Sequence, residues 1–171
     1  MLDELNSIDP KSHVEVFRQF FSRFGQQQDF ADNLLFVLHE AKLQQAASWL
    51  LHQHLKSGCK LTNFQLEKLL SDLNRLNHWV PILYHLQMLD YIQKPSENGL
   101  WHMEKFVRKQ LLSPNHYVKA WAFQGFSRLV DFETGFREEL VLLCREKYGF
   151  ATASTQARIR AIAKRQKFNL N

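Results

Sequence analysis

Eight histidines and two cysteines are the side chains through which this 171-residue chain could hold a metal or attack a substrate. His52-x-His54 stands two residues apart on a helical pattern, so the two rings diverge. His39-Glu40 opens like a zincin motif, but Leu43 occupies the place of the second His. His78 and His85 are seven apart and share a helix face, yet two ligands do not complete a site. Cys59 and Cys144 have no Cys-x-x-Cys neighbour, which excludes a thiolate zinc site and a disulfide framework. Cys144 lies beside Arg145, whose charge would lower a thiol pKa; the alternative is inert burial. Glu138-Glu139 pairs two carboxylates, but at a helix start, where they suit the helix dipole. Phosphate-cradling Gly-x-Gly-x-x-Gly and Walker loops are absent, as is the Gly-x-Ser-x-Gly elbow. The expectation is a chain with no catalytic residues, no metal and no cofactor.

Charge points instead to binding. Residues 1–100 carry 9 Lys+Arg against 11 Asp+Glu, whereas residues 101–171 carry 13 against 6. A basic half favours an anionic partner, and a solvated charged surface is the plainer reading. At about 100° per residue, Trp121, Gln124 and Arg128 share one helix edge. Trp and Arg together on an exposed edge are what binding hot spots favour. The competing reading packs Trp121 on a neighbour with Arg128 lying over it. On the last helix Arg160 and Lys164 flank one side of a narrow Ile159-Ile162-Ala163 stripe, and Arg158 and Arg165 the other. These cations suit phosphates, or equally a solvated helix cap. The candidate partner-binding set is therefore Trp121, Gln124, Arg128, Arg158, Arg160, Lys164 and Arg165.

The elements that must position these residues read as helices. Asp9-Pro10 matches an N-cap and first helical position, and Val14, Phe17, Phe20, Phe21 and Phe24 follow at helical spacing up to Gly25. Apolar periods continue over residues 30–41 and 43–55. Thr62-x-x-Gln65 matches a capping box, followed by Leu66, Leu69, Leu70 and Leu73. Asn77 is expected to cap the next helix, with Pro81 in its first turn and Val80, Leu83, Tyr84, Leu86 and Leu89 inward. Residues 94–99 read as a loop. Helices are then expected over 100–112, 117–130, 136–148 and 156–166. The 117–130 helix should bury Val118, Ala122, Gly125, Phe126, Leu129 and Val130. Nine helices with short links make the fold class all-α.

Composition agrees. Apolar residues make up 45%, charged residues 23%, and only 6 Gly and 4 Pro occur, which excludes fibrous and low-complexity classes. The first nine residues lack a basic and an apolar signal-peptide region, and no apolar run reaches the roughly 18 residues of a membrane span. A reducing cytoplasm is the expected location.

The stretch Leu111-Leu-Ser-Pro-Asn-His-Tyr-Val-Lys-Ala-Trp-Ala-Phe-Gln-Gly-Phe-Ser-Arg-Leu-Val130 resembles a HEAT-like repeat. Pro114 supplies its turn, and Val118, Lys119, Ala122 and Phe126 its Val-Arg-x-x-Ala-x-x-x-Leu helix, with Lys for Arg. Gln156-Ala-Arg-Ile-Arg-Ala-Ile-Ala-Lys-Arg165 is similar to the same helix one copy later. Helices starting near Trp79, Tyr117 and Thr155 keep a period of about 38 residues, close to that of such units. The resemblance, clearest over 100–166, implies one domain over 1–171. It would be a short right-handed α-solenoid of antiparallel helix pairs, like HEAT and ARM superhelices. It further implies a non-catalytic scaffold for a protein partner. The alternative is nucleic-acid binding through the basic C-terminal third. A lesser one is an enzyme like the HEAT-like alkyl-base DNA glycosylases, with Trp121, Arg128 and Asp131 imitating their site.

Overall fold

The computed structural model describes residues 1–9 and 14–170. The expectation for Pro10 lies outside the described residues. Among those described there are helices and no strands, and the chain divides into two units, Met1–Gly99 and Leu100–Asn171.

The first unit holds α1 (Leu2–Ser7), α2 (Val14–Phe24), α3 (Phe30–Val37), α4 (Gln44–Lys56), α5 (Asn63–Asp72) and α6 (Trp79–Met88). It ends with the first turn of α7 (Glu97–Leu111). Burial decides its centre. On α4, Gln44, Ser48, His52 and His54 are buried along with Ala46, Ala47, Leu50, Leu51 and Leu55. A helix buried almost all round must be enclosed by others. α2, α3 and α6 pack against it. Asn77 N–H, just before α6, donates to Gln44 Oε1 at 3.2 Å, and the rings of His52 and Tyr84 lie 5.8 Å apart. The start of α4 thus meets the start of α6 and its middle meets the middle: the two helices run in the same direction.

Local chemistry sets the helix ends. The capping box on α5 is present, with Thr62 Oγ1 accepting from Gln65 N–H and Gln65 Oε1 accepting from Thr62 N–H. On α6 the cap is His78, whose Nδ1 accepts from Val80 N–H, and not Asn77, whose amide is taken by Gln44. The buried face of α6 also differs from the spacing. Pro81, His85, Leu86 and Met88 are enclosed, while Val80, Leu83 and Tyr84 are half-buried. The expected loop over 94–99 is shorter, because α7 begins at Glu97. Gly99 N–H donates to Ser96 Oγ at 3.1 Å, so the serine satisfies an amide of the first turn. Gly99 is required for proximity: a Cβ there would lie 2.8 Å from Glu67 Oε1 and from Pro95 Cβ. α1 had no sequence signal of period or cap; Leu5 anchors it in the core, and Arg23 donates to Glu4 at 2.6 Å.

The second unit contains the rest of α7, α8 (His116–Phe132), α9 (Arg137–Tyr148) and α10 (Ala153–Gln166). Asn115 caps α8, its Oδ1 accepting from Tyr117 and Val118 N–H. The expected face of α8 is buried in full. Ala122 and Gly125 lie on it; Ser127, on the opposite side of the helix, is buried too, where α10 packs and buries its own Ile159, Ile162 and Ala163. α10 starts at Ala153, earlier than its apolar stripe, because Thr152 Oγ1 accepts from Thr155 N–H. Trp121 meets Arg158, and Ser127 meets Arg165 and Gln166, so α8 and α10 also run in the same direction. α9 returns between them in the chain and runs opposite to α10: Gln156 reaches the Tyr148 carbonyl and Arg137 the Gln166 carbonyl.

Candidate functional site

The seam between α8 and α10 contains most of the candidate set. Trp121 is half-buried, and the Arg158 guanidinium lies 3.8 Å from its ring centroid. Such a stack contributes about 0.5–2 kcal/mol. Arg128 donates to Asp131 Oδ2 at 2.6 Å and covers the Phe132 ring. Gln166 Nε2 donates to the other carboxylate oxygen of Asp131 at 2.7 Å. Arg165 bonds the Ser127 hydroxyl and lies 3.4 Å from Asp131. Asp131 therefore collects Arg128, Arg165 and Gln166. Its carboxylate is engaged by the protein itself, as are the two arginines. Gln124 is half-buried on the same edge as Trp121 and Arg128.

Arg160 and Lys164 stand apart from this seam and are exposed; Arg160 donates to the Tyr148 hydroxyl at 3.0 Å. The cations of the candidate set thus separate into Arg158 and Arg165, which reach α8 from α10, Arg128, which bonds Asp131 on its own helix, and Arg160 and Lys164, exposed on α10. Sequence spacing placed Arg158 and Arg165 on one flank of α10 and Arg160 and Lys164 on the other, but carried no sign that Arg165 reaches Ser127 and Asp131, or that Gln166 donates to the same two residues.

A second region is concave. The turn over residues 112–115 and the turn over 149–152 border a cavity of about 660 Å³. That volume falls within the range of ligand sites. Phe123, Leu111 and Leu143 line it, with Pro114, Ala151 and the buried Thr155. Two apolar side chains at its border are open to solvent: Leu112 is 84% exposed and Phe150 95%. The charged lining is Arg108, Lys119, Lys147 and Glu146, with His116. Arg108 is committed elsewhere. It makes a two-pronged bond to Glu139 and donates to Glu104 Oε1 at 2.7 Å. Hydrogen bonding to Glu139 raises the Arg108 pKa, and the same bond lowers that of Glu139. Glu139, which lies in the first turn of α9 as expected, also ties α9 to α7 through Arg108. Lys147 bonds its neighbour Glu146, which leaves Lys119 as the lining cation with no ion pair among the described residues. None of Arg128, Arg158, Arg160 and Arg165 lines the cavity.

The nucleophile and histidine candidates are placed by burial. Cys144 is fully enclosed, and burial pushes its thiol up to about 12, so Arg145 does not activate it. His52 and His54 do diverge: the first faces Tyr84 and Tyr91, the second Phe30. Burial lowers His54, and lowers His52 and His85 to about 4 each. His85 Nδ1–H donates to the Pro81 carbonyl at 2.9 Å, which leaves Nε2 enclosed without a partner. Among the described residues no group of three His, Cys, Asp or Glu is placed to hold a metal ion, and no helix is long and apolar enough to cross a membrane.

No protein-family model matches the chain, and neither a curated protein nor a solved structure matches it significantly.

Proposed function

We propose that this chain is a non-catalytic, HEAT-like helical module that binds a protein partner through its second unit and works in a reducing cytoplasm. The observation that carries the reading is the cleft bordered by Leu112 and Phe150. Large apolar side chains left in water around a concavity mark an interaction site. The repeat reading draws support from the helix directions. α8 and α10 run together, with contacts 35 to 39 residues apart in sequence, as successive second helices of stacked hairpins do. α4 and α6 follow the same rule in the first unit. The free cysteines suit a reducing compartment.

The nucleic-acid reading rests on Arg160, Lys164 and Lys167, exposed on or just after α10. It loses Arg128, Arg158 and Arg165 to internal contacts. The two readings separate in one comparison. Wild-type chain, Leu112→Asp/Phe150→Asp and Arg160→Ala/Lys164→Ala serve as baits in quantitative affinity purification. In parallel, a labelled DNA duplex and a labelled RNA strand are titrated at low salt. The expected result is a protein recovered by the wild type and the α10 variant and lost by the cleft variant. Nucleic-acid binding that collapses in the α10 variant, with no protein dependent on the cleft, would overturn it.

A further inference from the structure

We propose that the cleft between the 112–115 and 149–152 turns is a peptide site, selective for an acidic segment with one large apolar anchor. This inference rests on the protein-binding reading and names the partner's chemistry. Leu111, Phe123, Leu143 and Ala151 contribute the apolar part of the lining against which a Leu, Ile or Phe side chain would pack. The border residues Leu112 and Phe150 lie nearly free in solvent on the two turns, so an extended segment crossing the opening would cover both. A peptide that overhangs the edge removes their apolar surface from water.

Charge sets the rest of the specificity. The lining has three cationic side chains and one carboxylate, and the ion pairs of Arg108 with Glu139 and of Lys147 with Glu146 use two of the cations. Lys119 keeps its charge for the occupant. A basic segment would meet Lys119 and Lys147 with like charge, within a unit whose sequence already carries 13 basic against 6 acidic residues. An acidic segment meets the opposite balance. The apolar anchor supplies affinity, and a carboxylate beside it supplies register and selectivity.

The test pans a random dodecapeptide library against the full chain, then measures selected and synthetic peptides by fluorescence anisotropy. Selected peptides should share a large apolar residue flanked by Asp or Glu. Lys119→Glu should weaken them at least tenfold and shift preference toward peptides with Lys or Arg in the flanking positions. Phe150→Ser should also weaken them at least tenfold. Phe150 is exposed and Lys119 half-buried, and an unchanged melting temperature verifies that each variant is folded. The preference reversal in Lys119→Glu is a readout that damage to the fold would not produce. Peptides without an acidic-apolar pattern, or peptides indifferent to Lys119→Glu and Phe150→Ser, would overturn the site. If they respond instead to Lys164→Glu, the cleft fails while the protein-binding reading stands. A library that yields no binder, beside a duplex that binds, overturns both. Cosedimentation with phosphatidylserine vesicles that depends on Lys119 and Phe150 would overturn the peptide in favour of a lipid surface.

Discussion

In the first unit Gln44, Ser48, His52, His54 and His85 are enclosed among leucines and aromatic rings, beside a buried Asp72 that pairs with Lys68 and Arg75. In the second unit half-open charged pairs join the helices, Arg108 with Glu139 and Arg165 with Asp131, which Arg128 also pairs from its own helix, beside the buried neutral Gln110, Ser127 and Thr155. Neutral enclosed groups hold a fold only while they stay neutral. Paired surface-side charges contribute less each. The difference predicts where each unit is vulnerable.

The largest effect is acid lability from the first unit. His52 and His85 have folded values near 4 against an ordinary value of 6.5. For a histidine lowered by folding, the unfolded chain binds protons first. The stability is therefore whole above pH 6.5 and is lost as pH falls toward 4. Urea unfolding at pH 7 and pH 5 should show a loss of about 2 kcal/mol for each of these two imidazoles. In His85→Leu the pH 7 to pH 5 difference should shrink by about that amount. Equal lability in the variant would break the comparison.

A middle-sized effect sharpens the other side. Asp131→Ala removes the acceptor shared by Arg128, Arg165 and Gln166 and should cost about 1–2 kcal/mol, read as a lower denaturant midpoint at pH 7. The smallest effect comes from Arg158→Ala, which takes the guanidinium off Trp121 and should cost about 0.5–1 kcal/mol, with a change in tryptophan fluorescence. An Arg158→Ala that leaves both stability and fluorescence untouched would mean that the stack contributes nothing.

The parts of the fold legible in the sequence are those governed by neighbours three or four residues away. The capping box at Thr62, the Asn115 and Pro114 turn, the buried face of α8 and the apolar stripe of α10 all follow from local spacing. What was not legible lies at long range. Arg108 and Glu139 are 31 residues apart, and Arg165 and Ser127 are 38, so only the folded unit brings them together. Pro95 and Gly99 read as a loop because both break helices, whereas Gly99 opens α7 where Glu67 and Leu70 leave no room for a Cβ. The seven candidate residues share helix edges by spacing alone, and an edge says nothing about which cation a distant carboxylate will claim. The cleft was missed for the same reason: its border comes from two turns, 112–115 and 149–152, that no periodicity joins.

The central claim is that a partner is gripped at the cleft and that the α8–α10 seam is fastened to itself. Backbone amide shifts of the ¹⁵N-labelled chain, recorded while a selected acidic-apolar peptide is added, read this position by position. Shifts concentrated at Leu112, Lys119, Leu143, Phe150 and Ala151, with Arg158 to Arg165 nearly still, are the expected result. Shifts confined to α10 would contradict it.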